Sequence, residues 1–371
     1  MTGRGPTLLV FLGGMGGTPI EDAVASVRCA AAFDTIETAR AGGIQSAIVV
    51  TDDPSLDTNI EGVEIVIDGG EHHFGRSLTE TMRERSLGSI VYVGGGSVPL
   101  LRPDDFAGIV ETLASGGAVT NNKFSSDMVA WNADVQCPAA IADLDRDNSL
   151  ARILQESGLE FVEMPRVAET IFDIDTPSDL ALLSVTGFGG SRVSQVLDGQ
   201  EIDVEQYRRV LPLFLDRSAE LVVSGRVGTH CWQYLEKETA CRVRVFAEER
   251  GMEADGRATS GEAKSLVGYF VESVGAERFF EILAELGDGA LIDTRVLLAH
   301  RRNDASRADR FLSDAGRWSE IGDPFLREFT KAAQEAAIPV LLGGHSLVAG
   351  GVMALNEFAW QQNEAGLLAI G

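Results

Sequence analysis

Ser89-Ile90-Val91-Tyr92-Val93-Gly94-Gly95-Gly96-Ser97-Val98-Pro99-Leu100-Leu101 is the stretch on which the fold turns. Its first half is a short apolar run of β-branched and aromatic residues, the composition of a buried strand. Three glycines follow, then Ser97, and Pro99 stops further pairing. Residues without a Cβ let the backbone approach a ligand closely, and open α/β sheets bind ligands beyond the carboxyl ends of their strands. Gly94, Gly95, Gly96 and Ser97 are therefore candidates for the floor of a site. A plain glycine-rich turn fits the same residues, and both readings stand at this point.

Outward from this stretch, strands and helices alternate. Residues 7–12 predict a strand that runs into Gly13-Gly14-Met15-Gly16-Gly17, followed by a long helix from Thr18 or Pro19 to Ala41. Strand, glycine loop and helix make a phosphate-cradling turn, since glycines expose amides and a helix start favours anions. The loop is neither GxGxxG nor a Walker motif. Further strands are expected at 44–50, ending in Thr51-Asp52-Asp53, and at 63–67, 118–121, 128–131 and 161–164. Helices are expected from Ser77 to about 85, at 104–114, after Asp147 or Asn148, and after Pro177. His72 and His73, adjacent on a loop, read as solvent-facing. Such alternation implies a mainly parallel sheet sandwiched by helices.

Gly187-Phe188-Gly189-Gly190-Ser191 reads as a linker, which puts a first domain at 1–187 and a second α/β domain, Rossmann-like, at 188–371. Strands are expected there at 221–223, 242–246, 296–299 and 339–342. Their carboxyl ends carry Ser224 and Arg226, then Glu248, Glu249 and Arg250, then His300, Arg301 and Arg302, then His345 and Ser346. If the strands are parallel neighbours, these residues meet at one rim. Ser224, Arg226, Arg250, His300, His345 and Ser346 are candidates for a phosphate or carboxylate site. A helix beginning after Gly343-Gly344 would add its amides, and His345 is a candidate acid or base. Ion pairing of the arginines with Glu248, Glu249 and Asp293 is the structural alternative.

The 371 residues are ample for two domains. A net charge of −25 argues against general nucleic-acid binding and makes local arginine clusters informative. Cys29, Cys137, Cys231 and Cys241 have no metal-ligand spacing and read as thiols of a reducing, cytoplasmic compartment. No membrane span is expected.

One further segment is more specific: Asp173-Ile174-Asp175-Thr176-Pro177-Ser178-Asp179-Leu180. It resembles the closing motif of nucleotidyltransferases similar to molybdenum-cofactor cytidylyltransferase and phospholactate guanylyltransferase. Gly96-Ser97-Val98-Pro99-Leu100 resembles that family's Gly-Asp-x-Pro-Leu motif. Phe74-Gly75-Arg76-Ser77-Leu78 and Asn148-Ser149-Leu150-Ala151-Arg152 resemble two further segments, in the family's order, over about residues 6–186. The resemblance implies a nucleotide-diphospho-sugar transferase fold. The implied reaction moves a nucleoside monophosphate from a triphosphate, GTP or CTP, to a phosphorylated acceptor, releasing pyrophosphate.

Such a transfer needs positioning and charge neutralisation, which Mg²⁺ with one or two carboxylates supplies. The resemblance makes Asp175, with Asp173, the metal ligand, and Asp179 reads as a helix cap. Gly13, Gly14, Gly16, Gly17, Asp52, Ser77 and residues 94–97 are the candidate nucleotide contacts. The glycine loop departs from the family in having no Arg or Lys for the triphosphate, and Lys123 or Arg76 is the candidate cation in its place, Lys123 with a catalytic role. The family's metal-binding Asp is Ser97 here, and Asp52 is a substitute carboxylate. A nucleotide-binding protein without turnover, and a bifunctional enzyme with its main chemistry in the second domain, are the alternatives. Homo-oligomerisation is left open.

Overall fold

Two sheets organise the chain, and each runs in the alternating order its sequence predicts. The computed structural model describes residues 5–14, 16–56, 61–69, 73–134, 138–252 and 256–368. Met15, His72 and Cys137 lie outside the described residues.

The chain divides into two compact units. The first comprises residues 1–15, 25–171 and 189–193; the second comprises 16–24, 172–188 and 194–371. The expected boundary at 187 thus differs from this division mainly in the closing motif, which packs with the second unit. The glycine-rich stretch expected as a linker is held within the first unit at its far end. Asp34 accepts hydrogen bonds from the amides of Arg192 at 3.2 Å and Val193 at 3.0 Å.

The first unit contains β1 (Thr7–Leu12), β2 (Ser46–Thr51), β3 (Val63–Ile67), β4 (Ser89–Gly94), β5 (Ala118–Thr120), β6 (Met128–Asn132) and β7 (Phe161–Glu163). They form one sheet in the order β3-β2-β1-β4-β6-β5-β7. All neighbours are parallel except those of β6, which runs antiparallel to β4 and β5. Leu8, Leu9, Val10, Ile90, Val91, Tyr92 and Val93 are at most 1% exposed. That is the near-continuous apolar pattern of strands covered on both faces. Phe11, Phe74 and Tyr92 form an edge-to-face trio with centroids 5.3–5.6 Å apart under the carboxyl ends of β1 and β4. Each such pair contributes about 0.5–1.5 kcal/mol beyond its buried area.

The second unit contains β8 (Glu220–Gly225), β9 (Arg242–Ala247), β10 (Gly289–Asp293) and β11 (Val340–Gly343), all parallel, in the order β11-β10-β8-β9. Helices join successive strands, as parallel connection requires. One expectation fails here: residues 296–299 lie in the helix Arg295–His300, and the strand is Gly289–Asp293. Both runs are short and apolar, so periodicity does not separate them, and Leu-Leu-Ala favours helix. The helices Ser191–Asp198 and Glu205–Val210 were not anticipated. The helix expected after Gly344 starts at Gly350, after a single 3₁₀ turn at Ser346–Val348. Among the described residues, no helix is long and apolar enough to cross a membrane.

Candidate functional sites at two strand edges

In both units the strand order reverses beside the first strand, between β1 and β4 and between β8 and β10. Ligand crevices of α/β sheets open at such points, outside the carboxyl ends.

At the β1–β4 edge the backbone is drawn tight. The Gly95 amide donates to the Phe11 carbonyl at 2.7 Å, and Arg28 Nε donates to the Gly95 carbonyl at 2.7 Å. A Cβ on Gly95 would stand 2.8 Å from that carbonyl and 3.0 Å from Leu12 Cα, so only glycine fits. Gly94 donates to the Asp127 carbonyl and Ser97 to the Gly94 carbonyl, both at 3.0 Å. The Gly96 amide, at φ +97°, makes no hydrogen bond among the described residues. Val98 is fully buried with φ +45°, a rare conformation for a β-branched residue. Strain of this kind concentrates at functional loops.

Carboxylates surround this turn. Asp147 accepts the Tyr92 hydroxyl at 2.8 Å. The position a Gly94 Cβ would take lies 2.9 Å from Ser97 Oγ and 3.4 Å from Asp147 Oδ2, so hydroxyl and carboxylate converge there. Burial, then the charge of Asp147, raises the Tyr92 pKa well above its ordinary value, and Tyr92 stays a hydrogen-bond donor. Lys123 is half-buried on the loop between β5 and β6. Buried Asn121 clamps that loop, its Oδ1 accepting the Asp127 and Met128 amides at 3.1 Å.

Asp52 Oδ1 accepts the Gly14 amide at 2.7 Å, so this carboxylate shapes the glycine loop. Gly13 is exposed and continues β1. Ser77 sits in the helix Phe74–Glu84, which His73 caps, and its hydroxyl bonds Asp68 just past β3. Sequence reasoning missed Arg28 and the side-chain role of Asp147. Asp147 was read only as a helix cap, and Arg28 lies more than two turns into its helix, beyond any loop motif.

The remaining candidates fall in the second unit. Gly16 and Gly17 are exposed at the start of the helix Pro19–Ala41, and Asp22 accepts the Gly17 amide at 3.2 Å. Phe172 and Ile174 are buried while Asp173 is half-buried and Asp175 exposed, the alternation of an extended segment. Ser346 Oγ donates to the Asp173 carbonyl at 2.7 Å, so Ser346 ties down this segment. Thr176 and Asp179 form the capping box of the helix Pro177–Thr186, as Asp179's spacing suggested. Asp179 Oδ2 accepts the Asp175 and Thr176 amides and the Thr176 hydroxyl, while its buried Oδ1 has no partner among the described residues. Burial, then the charge of Asp175, pushes its pKa up to about 7.

The β8–β10 edge is built on Asp293. Its fully buried carboxylate accepts Arg226 Nε at 2.6 Å, Arg226 Nη2 at 3.2 Å, and the amides of Arg226 and Arg295 at 3.2 and 3.0 Å. Burial works to raise its pKa, but Arg226, with Arg295 and His345, outweighs it and keeps the group ionised. Arg295 in turn forms a bidentate pair with Asp314. Arg250 Nη1 and His230 Nδ1 both lie 3.0 Å from where a Gly228 Cβ would stand. Gly228 starts the helix Thr229–Glu238 without any side-chain cap. Burial, then the charge of Arg226, pushes the His345 pKa down to about 4 against the pull of Asp293, with Arg250 and His230 adding to it. The imidazole is neutral at neutral pH, and its Nδ1 has no partner among the described residues.

Ser224 is buried at the end of β8. His300, expected at this rim, is elsewhere, because residues 295–300 are helix. Its Nδ1 accepts the Ser265 amide at 3.3 Å, and Tyr269 packs edge-on at 4.4 Å. Glu248 and Glu249 bond Ser265 and Arg257, and of the ion pairs weighed for the arginines of this rim, Arg226–Asp293 forms.

No protein-family model matches the chain, and no curated protein matches it. Among solved structures it is similar to the 2-C-methyl-D-erythritol 4-phosphate cytidylyltransferase of Thermus thermophilus. The identity is 16% over 48% of this chain and 97% of that one, with a TM-score of 0.36. A nucleotidyl transferase from Methanothermobacter gives 17% identity over 53% and 100%, with a TM-score of 0.37. A cytidylyltransferase from Leptospira borgpetersenii gives 15% over 53% and 94%, with a TM-score of 0.36. The α/β fold class stands on the two sheets described above.

Proposed function

We propose that the first unit is a nucleotidyltransferase. It binds a nucleoside triphosphate at the β1–β4 edge and passes the nucleoside monophosphate to a phosphorylated small-molecule acceptor, with release of pyrophosphate. The observation that supports this most is the backbone at Gly95, pinned to Phe11 and closed to any side chain, at the reversal point of the strand order. The motif resemblance in residues 6–186 adds to it. The Gly96 amide and the side chains of Arg28 and Lys123 are the donors proposed for the phosphates, which such a transfer holds chiefly by positioning and charge.

Mg²⁺ is the proposed cofactor. Among the described residues no three His, Cys, Asp or Glu side chains are gathered for a metal. Mg²⁺ ordinarily rests on one or two carboxylates with water and substrate phosphates, and hard oxygens of Asp147 and Ser97 converge beside Gly94. Those donors fit it, and Asp147 makes up for the carboxylate that Ser97 lacks. When bound, the ion would neutralise charge on the transferred phosphoryl group. The Tyr92 hydroxyl orients the Asp147 carboxylate. A metal role for Asp173 and Asp175 is supported by the resemblance of their motif alone.

The test is pyrophosphate release across the four nucleoside triphosphates with phosphorylated acceptors. Turnover with one nucleotide is expected, falling about 100-fold in Asp147→Asn, the scale of losing a metal contact. Asp175→Ala checks the second pair in the same assay. Nucleotide binding with no turnover under any acceptor would sink the enzyme reading and leave a binding protein.

A further inference from the structure

We propose that the β8–β10 edge of the second unit is a binding site for the phosphate group of a small metabolite. The oxyanion would be held at the start of the helix Thr229–Glu238 by Arg250, His230 and the donors that Arg226 and His345 have to spare.

Four observations converge on one crevice. The topology places it where α/β sheets bind ligands, between strands whose order reverses. The helix that begins there has ten residues, starts at a glycine and lacks a side-chain cap, so no capping side chain takes up its first-turn amides. Arg250 Nη1 and His230 Nδ1 crowd the same glycine, each 3.0 Å from its missing Cβ, which sets a guanidinium and an imidazole beside those amides.

Donor capacity also remains on the side chains behind them. Arg226 spends Nε and Nη2 on Asp293, and its Nη1 makes no bond among the described residues. A guanidinium oriented this way, with one carboxylate locked behind it, is preorganised for an oxyanion in front. His345 Nδ1 is likewise without a partner, which costs stability unless a ligand or water repays it. Burial lowers the proton affinity of His345 most, and Arg226, then Arg250 and His230, add to it, which places these groups around one imidazole. Such a cluster is notable in a chain of net charge −25. Donors that diverge from a helix start, a guanidinium and an imidazole suit the tetrahedral oxygens of phosphate better than the planar pair of a carboxylate.

This site is independent of nucleotidyl transfer, and its test needs no nucleotide. Isothermal titration of the whole chain with inorganic phosphate, in chloride buffer of low ionic strength, should show saturable binding, with acetate giving none. Arg250→Ala, at an exposed position, should keep its unfolding midpoint without phosphate and weaken phosphate binding about ten-fold or more, the scale of one charged hydrogen bond. His230→Ala is the second variant, expected to weaken it in the same direction. Absence of phosphate binding, equal binding of acetate, or undiminished binding in both variants would each overturn the proposal. The last outcome would assign the heat to another part of the chain.

Discussion

The β1–β4 edge and the β8–β10 edge hold the same place in their sheets and carry opposite charge. Around the first stand Asp52, Asp127 and Asp147, with Arg28 and Lys123 as the nearby cations. Around the second stand Arg226, Arg250, Arg295, His230 and His345, with Asp293 and Asp314 buried behind them. Each edge also has one glycine where adjacent strand ends nearly touch, Gly95 against Leu12 and Gly225 against Asp293. The contrast teaches that strand order fixes where a crevice opens, while a few side chains at the strand ends decide which ions it accepts. An acidic edge suits a metal-bridged triphosphate; a basic edge suits a phosphate on its own.

The comparison breaks most completely at Asp293. This carboxylate takes four donors in a fully buried place. Asp293→Ala leaves the Arg226 guanidinium without its partner and should cost about 3–5 kcal/mol in urea unfolding. If the loss is under about 1 kcal/mol, the pair is not the keystone of this edge, and the basic cluster is held in some other way.

The two glycines come next. A Cβ on Gly225 would stand 2.4 Å from Asp293 Cβ and 3.0 Å from its carbonyl oxygen, at φ +124°, so alanine is both crowded and strained. On Gly95 it would stand 2.7–3.0 Å from Leu12 and Phe11. Overpacking costs about 1–3 kcal/mol, with a further 1–2 kcal/mol, roughly, for the backbone of Gly225. Gly225→Ala should therefore destabilise more than Gly95→Ala. The reverse order would mean that the two edges are not closed by the same device.

Much of this architecture is legible in the sequence, and the misses have physical causes. The run at 90–93 and its glycines identify the central strand because β-branched residues bounded by Gly have few alternatives. The strand at Gly289–Asp293 was displaced onto 296–299 because two short apolar runs stand six residues apart and nothing local ranks them. That slip carried His300 to the wrong rim and left Asp293 as a mere ion-pair partner. Arg226, Arg250 and His345 were found because they directly follow strands. Arg28 and Asp147 were not found as site residues, because their places depend on tertiary packing. The closing motif shows the same limit: the spacing of Thr176 and Asp179 fixed a cap, but which sheet Asp173 lies against depends on Ser346, far along the chain.

The smallest effect concerns a buried acidic group whose charge acts on Arg295 of the basic edge. Asp179 is buried, acts on Arg295, and has a pKa of about 7. In the unfolded chain it would titrate near 3.8, its ordinary value. The folded state therefore holds a proton that the unfolded state has lost between these two values. Its contribution to stability is greatest below the unfolded pKa and disappears as pH rises through the folded one. Wild type should lose about 1–2 kcal/mol relative to Asp179→Asn between about pH 5.5 and pH 7. Asn keeps an oxygen for the Thr176 amide but cannot ionise, so its own urea midpoint should vary less over that range. A difference that is flat, or that grows in favour of wild type with rising pH, would mean Asp179 is ionised in the fold. The β8–β10 edge would then carry one more negative charge than the contrast with the β1–β4 edge assumes.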